Sequence, residues 1–127
     1  MAKDFQILPP NTINPDIPIF QKIYDFYKEL YQSLLKFPKV HRYTLGQKLD
    51  DTTLELFEFL VLASKRQLEK STLLHKANAK LETLKLLLRL AKDTKSIDNN
   101  KYLALESSLQ EIGKMLGGWM KHVEQTT

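Results

Sequence analysis

The sequence contains no cysteine among its 127 residues, which excludes disulfide bonds, thiolate metal sites and cysteine nucleophiles. It also lacks the H-E-x-x-H, glycine-rich phosphate-loop and G-x-S-x-G motifs, which hold reacting groups at fixed spacings. None of the three histidines follows a glutamate at the Glu-x-x-His spacing of a di-iron helix bundle. We therefore expect a protein that is not an enzyme and that holds no catalytic residues, metal or cofactor.

Long apolar runs and export signals are absent as well. The most apolar stretch, residues 84–91, carries Lys85 and Arg89, whereas a membrane-spanning helix needs about 20 apolar residues. Residues 1–17 contain Asp4 and two consecutive prolines, and they lack the apolar run of a signal peptide. We expect a cytoplasmic protein with no membrane contact.

Proline is confined to the beginning of the chain, because four of the five prolines fall within the first 18 residues and the last is Pro38. The 89 residues beyond Pro38 lack the strongest helix breaker, and their apolar side chains recur at helical spacing. This pattern predicts an all-α protein with a proline-rich N-terminal extension over residues 1–17 and a four-helix bundle over residues 18–124. Short connections favour an antiparallel up-down-up-down order. The first predicted helix follows Asp16 and ends at Phe37. The other three run from about His41 to Leu68, from about Ser71 to Lys95, and from about Ile97 to Glu124.

The second and third predicted helices carry more apolar surface than one bundle core buries. Each has a continuous core stripe, and each also has a second stripe beside or opposite it. Exposed stripes of this kind commonly become subunit contacts, so the pattern predicts a homo-oligomer. The alternative is a monomer with scattered surface leucines. The second stripes consist of Tyr43, Leu54, Phe57 and Val61 on one helix and Ala79, Leu86 and Leu90 on the next.

Positive charge is concentrated in one part of the chain. The sequence has 19 Lys and Arg against 15 Asp and Glu, and residues 65–101 alone hold 10 basic against 4 acidic side chains, a net of +6. Within this region Lys85, Arg89 and Lys92 stand at i, i+4 and i+7, which aligns them on one side of the third helix. Such a row suits contacts to successive phosphates or to an acidic partner. The alternative is a solvated face whose lysine stems cover apolar surface.

Glycine is rare too, and all four glycines fall within predicted helices, where each costs about 1 kcal/mol relative to alanine. Gly113 and Gly117 lie one turn apart, and together with Gly46 they predict a close approach of helix backbones. The Gly117-Gly118 pair is expected to permit a bend that seats the indole of Trp119.

Two segments resemble the accessory variability determinant (Avd) proteins of diversity-generating retroelements. The first is Phe37-Pro38-Lys39 followed by residues 42–50 (RYTLGQKLD), and the second is residues 113–121 (GKMLGGWMK). The resemblance covers residues 18–123. It extends to the wider group of small four-helix proteins that includes those encoded in intervening sequences of 23S ribosomal RNA genes.

The resemblance implies a four-helix protomer assembled into a homopentameric barrel with a positively charged surface. It also implies a non-catalytic protein that associates with a reverse transcriptase and with nucleic acid during the mutagenic copying of template RNA. The basic positions of the third helix implicated in that family correspond here to Lys85 and Arg89.

Three functional hypotheses follow. The first is an accessory protein that binds RNA or DNA and a reverse transcriptase through Lys85, Arg89 and Lys92. The second is a structural or protein-interaction module of the intervening-sequence type, with no reverse transcriptase partner. The third, a ligand-binding or metal-binding bundle enzyme, needs a polar cluster in the core, and the core stripes contain no Asp or Glu. Weaker candidates for nucleic-acid contact are Arg42, Lys48, Lys114 and Lys121.

Overall fold

The computed structural model describes residues 17–126, and the regular secondary structure in this range is helical. The N-terminal extension predicted over residues 1–17 lies outside the described residues, except that Ile17 begins the first helix. The elements are α1 (Ile17–Leu34), α2 (Lys39–His41), a π-helical segment (Arg42–Gly46), α3 (Gln47–Lys65), α4 (Lys70–Asp93) and α5 (Asn99–Thr126).

The four long helices, α1, α3, α4 and α5, form a bundle. α3 packs on α4, α4 on α5 and α5 on α1, and α1 also contacts α3, which closes the bundle. His75 near the start of α4 lies 3.5 Å from Glu124 near the end of α5, measured from Nε2 to Oε2, as expected for antiparallel neighbours. The all-α four-helix prediction is confirmed.

The bundle core is built from the apolar stripes that the sequence predicts. Along α4 and α5 the buried side chains recur at alternating spacings of three and four, the period that keeps one side of a helix facing its neighbours. Removing this apolar surface from water is the main force that holds the helices together. The buried stripes are Leu74, Ala77, Leu81, Leu84, Leu88 and Ala91 on α4, and Leu105, Leu109, Ile112, Leu116, Trp119 and Val123 on α5.

The second predicted helix differs from the observed one in two respects. In the structure, this helix begins at Lys39 and passes through the π-helical segment Arg42–Gly46 before the regular turns of α3. It also ends at Lys65, so Leu68, which the sequence placed inside a helix, lies in the following turn and is 99% exposed. A π-helical turn adds one residue to the normal helical repeat, and hydrophobic spacing alone does not reveal it.

The π-helical segment packs against the end of α1. A Cβ built on Gly46 lies 3.4 Å from Cδ2 of Phe37 and 3.4 Å from the carbonyl oxygen of His41, so Gly46 is in close contact with an aromatic side chain and with the backbone at the end of α2. Nη2 of Arg42 donates hydrogen bonds to the carbonyl oxygens of Leu35 (2.9 Å) and Phe37 (3.3 Å), which follow the last turn of α1. Arg42 thus ties the two elements together, since carbonyls at a helix end have no helical donor.

The turn between α4 and α5 stops one helix and starts the next. Lys95 adopts a left-handed conformation with φ of 62°, and the Ser96 N–H donates a 2.8 Å bond back to the Ala91 carbonyl, which is a Schellman-type helix end. Oδ1 of Asp98 accepts a 2.7 Å hydrogen bond from the Lys101 N–H and so caps the first turn of α5. These contacts explain why α4 ends two residues before the predicted Lys95.

Candidate nucleic-acid interface

The basic row, defined as Lys85, Arg89 and Lys92, lies on the side of α4 that faces α5. Nζ of Lys85 is 3.8 Å from a Cβ built on Gly113, and Nζ of Lys92 lies 4.9 Å from the centre of the Tyr102 ring. Arg89 is one helical turn from each lysine and so lies on the same side. The row therefore follows the groove between α4 and α5, with its charged ends at the surface.

Two carboxylates of α4 lie beside the basic row. Lys85 Nζ is 3.6 Å from an Oε of Glu82, Arg89 Nε is 4.0 Å from an Oδ of Asp93, and Lys92 Nζ is 3.9 Å from the other Oδ. Exposed ion pairs contribute only about 0–1 kcal/mol, and these distances exceed those of good hydrogen bonds. The cations are therefore available to exchange these carboxylates for phosphates, although the carboxylates reduce the local positive potential.

α5 carries two exposed lysines outside this groove. Lys114 and Lys121 lie two turns apart on one side of α5, about 100° around the helix axis from the side on which Gly113 faces Lys85. Gly117 lies between these two lysines in the sequence. A Cβ built on it has no atom of the described residues within 4 Å other than those of its chain neighbours and of the nearby helix backbone. The structure thus places Lys114 and Lys121 on the outward side of α5 and away from the basic row, so the cations that line the α4–α5 groove are Lys85, Arg89 and Lys92.

Arg42 and Lys48 lie elsewhere. The Arg42 guanidinium is engaged with main-chain carbonyls at the end of α1, as described above. Lys48 is exposed on α3. α3 packs on one side of α4, as the 2.8 Å ion pair between Lys80 of α4 and Glu55 of α3 shows, and α5 packs on another side of α4. Sequence spacing does not reveal which helices are neighbours, so it could not show that neither residue lies near the basic row.

Trp119 anchors α5 in the core and is 4% exposed. Its ring lies 5.9 Å from Nζ of Lys70, which also donates a hydrogen bond to the Ala63 carbonyl at the end of α3. α5 is continuously helical through Gly117 and Gly118, and neither glycine contacts another described helix. Within the protomer, the backbone approach expected at Gly117 is not found.

We expect the substitution Gly117→Ala to raise the free energy of unfolding by about 0.5–1 kcal/mol, because alanine restricts the unfolded chain and meets open space here. Gly113→Ala is the matched comparison. Its added Cβ lies 3.4 Å from Cδ2 of Leu81, so the increase in the free energy of unfolding should be smaller. Urea unfolding at low protein concentration measures both values. A less stable Gly117→Ala variant would contradict the open environment of this position.

The second apolar stripes predicted on α3 and α4 are largely exposed in the protomer. Leu86 is 70% and Leu90 is 48% exposed on α4, and Tyr43 and Leu54 are exposed as well, while Phe57 and Val61 are half-buried. α1 contributes further exposed side chains, Tyr24, Tyr31 and Leu35, which the predicted second stripes do not include. The ten apolar positions from Ile19 to Leu35 are too many for one core stripe, and this excess was the signal that the sequence interpretation missed.

Residues 17–126 contain neither a grouped set of metal-binding side chains nor a helix suited to crossing a membrane. No three Asp, Glu or His side chains in this range are grouped so that they would hold a metal ion. None of the helices described there combines the length and apolarity that a bilayer crossing requires.

Comparison with known proteins identifies a family. The sequence model of the bAvd-like family matches residues 18–123. This span contains both segments that resemble Avd proteins, the basic row and the two lysines of α5. A comparison with curated proteins gives no significant match.

Proposed function

Because the chain belongs to the bAvd-like family, we propose that it is a non-catalytic accessory protein that binds nucleic acid and the reverse transcriptase of a diversity-generating retroelement. In this role it supports mutagenic reverse transcription in the cytoplasm by holding nucleic acid near the enzyme. It contributes binding and position, and the polymerase supplies the chemistry.

The observation that carries the proposal is the alignment of the three cations of the basic row along the α4–α5 groove, which suits successive phosphates of a nucleic-acid backbone. Two of the three are lysines, which make point contacts instead of the bidentate contacts of arginine. Phosphate contacts position a protein without reading sequence. We therefore propose backbone binding with little base preference.

We further propose that the working form is a homo-oligomer, with five copies as the number that the family resemblance implies. The exposed Leu86, Leu90, Tyr43 and Leu54 support subunit contacts. Repeating the basic groove on each copy multiplies the positive surface, which strengthens binding to a polyanion through several simultaneous contacts.

The test is a titration of the purified chain with labelled RNA, DNA and hybrid duplexes of one sequence at two salt concentrations. With three phosphate contacts, we expect affinity for B-form DNA to fall about 40-fold between 50 and 200 mM salt, because counterions are released on binding. In parallel, a tagged copy should retain a reverse transcriptase encoded beside its gene.

Failure of both assays would overturn the proposal. An oligomer that binds neither polymerase nor nucleic acid, from a locus without template and variable repeats, would favour the second candidate, a structural protein of the intervening-sequence type. That candidate draws support from Glu82 and Asp93, which already neutralise part of the basic row.

A further inference from the structure

An aromatic groove lies between α1 and α3. At its base, the Tyr27 hydroxyl donates a 2.7 Å hydrogen bond to an Oδ of Asp50, and burial together with this bond raises the pKa of Tyr27 to about 12. Tyr24 and Tyr31 lie one turn to either side of Tyr27 on α1. We define the aromatic groove by Tyr24, Tyr27 and Tyr31 of α1, Tyr43 of the π-helical segment, and Leu54 and Phe57 of α3.

One end of the aromatic groove widens into a cavity of about 320 Å³ lined in part by Tyr31, Tyr43 and Asp50. Tyr31 is 52% and Tyr43 is 71% exposed, so large aromatic surfaces there are covered by no described element. Aromatic side chains with a polar tip are the residues that protein interfaces favour most.

A second apolar surface lies on α4, opposite its buried stripe. We define the outer seam as Ala79, Thr83, Leu86 and Leu90, whose spacing of four, three and four residues is that of a helix-packing seam. The outer seam is exposed along its length, with Leu86 the most exposed of its leucines. It is thus a regular helix-packing surface without a partner helix in the protomer.

The two surfaces differ in shape and lie on different helices, which decides how copies can associate. A groove accepts a helix, and the outer seam is the apolar side of a helix. When the outer seam of one copy pairs with the aromatic groove of a second copy, the aromatic groove of the first copy and the outer seam of the second copy remain free. Repeating such a head-to-tail contact produces a ring when the rotation between copies closes and a filament when it does not, whereas a two-fold dimer uses one surface twice.

Charge favours the same pairing. Between Asp50 and Glu58, α3 carries four carboxylates and no cation, whereas Lys76, three residues before Ala79 of the outer seam, is an exposed cation of α4 outside the basic row. Placing α4 beside the α3 wall of the groove brings opposite charges together. Placing α4 against a second α4 brings like charges together, and the acidic wall also disfavours nucleic acid in the groove.

We propose that the outer seam of α4 in one copy docks into the aromatic groove of the next copy. This inference deepens the proposed function, because it assigns two different surfaces to the proposed homo-oligomer. It leaves the basic row free, since Lys85 and Lys92 lie on the side of α4 that faces α5.

The absence of cysteine makes the proposal directly testable, because any introduced cysteine is the only thiol in the chain. Ala79→Cys marks the outer seam, Leu54→Cys marks the groove, and Ser107→Cys on the exposed side of α5 is the control. Each full-length variant is treated with a short bis-maleimide cross-linker, alone and after mixing and reassembly with another. Circular dichroism verifies that each variant is helical.

We expect a cross-linked dimer when Ala79→Cys is mixed with Leu54→Cys, and none from either variant alone or with Ser107→Cys. A double Ala79→Cys/Leu54→Cys chain should give a ladder of covalent oligomers. Cross-linking of Ala79→Cys to itself would overturn the proposal, because it reveals a two-fold contact. Absence of the mixed dimer, or a monomer by light scattering, would overturn it as well.

A second variant tests the docking proposal by a measurement that does not depend on the geometry of cross-linking. Leu86→Glu should raise the dissociation constant of the oligomer about 10-fold or more and leave helicity unchanged, because it places a charge in the contact. An unchanged oligomer would contradict the docking surface. If the docking test fails while the protein still binds nucleic acid, the proposed function stands and only the docking proposal is rejected. If the expected cross-links form but the protein does not bind nucleic acid, only the proposed function is rejected.

Discussion

Reversing the charges of Lys85 and Arg89 together, as Lys85→Glu/Arg89→Glu, is expected to weaken nucleic-acid binding about 10–100-fold at moderate salt. The change removes two phosphate contacts and places two carboxylates where phosphates would approach. Both side chains end at the surface, so helicity and oligomeric size should stay as they are. The measurement is fluorescence anisotropy with labelled RNA and DNA over a range of salt.

The matched control is Lys39→Glu/Lys48→Glu, which changes the net charge of the chain equally at exposed positions outside the α4–α5 groove. A small effect of this control, beside a large effect of the first pair, separates local contacts from overall charge. Because Glu82 and Asp93 lie within 4 Å of the basic row, Glu82→Gln/Asp93→Asn should act in the opposite direction and tighten binding several-fold. Wild-type affinity in Lys85→Glu/Arg89→Glu would reject the basic row as the binding surface.

Truncation of a core leucine on the same helix is expected to have the largest effect on stability. Leu84→Ala should lower the free energy of unfolding by about 3 kcal/mol, because it removes fully buried apolar atoms and leaves a cavity among neighbours that relax only partly. Urea unfolding monitored by circular dichroism, at a protein concentration too low for assembly, gives the value.

Leu86→Ala is the control for this prediction, since it makes the same change of residue type two positions away on the same helix. Leu86 is 70% exposed, so its truncation should change the stability of the protomer by no more than about 0.5 kcal/mol. Its effect should appear in the assembly of copies instead. Equal losses from Leu84→Ala and Leu86→Ala would contradict the assignment of the two sides of α4 to core and surface.

The helical pattern predicted most of the fold because burial of one side of each helix leaves a periodic record in the sequence. The buried side chains of α4 and α5 recur at the helical spacing that the sequence predicts. The errors lie where local hydrogen bonds outweigh periodicity. The π-helical segment depends on packing against Phe37, and the end of α4 depends on the left-handed Lys95.

The candidate site shows the same division. Spacing along one helix placed Lys85, Arg89 and Lys92 on one side of α4, because helical geometry relates residues that are close in sequence. It did not show that the basic row lines the groove between α4 and α5, or that Arg42 is engaged at a helix end. Glu82 and Asp93 lie three and four residues from a cation of the row, so spacing along α4 could have revealed them, and the sequence interpretation missed them.

By itself, the sequence determined the all-α class, the core stripes, the local basic row and the membership of a family whose segments it carries. Only the tertiary structure decided which helices are neighbours, which groove the basic row lines, and which apolar side chains stay exposed. The physical reason is range. Periodicity and capping act within a few turns of one helix, whereas a groove or an uncovered seam exists only after helices distant in sequence have packed.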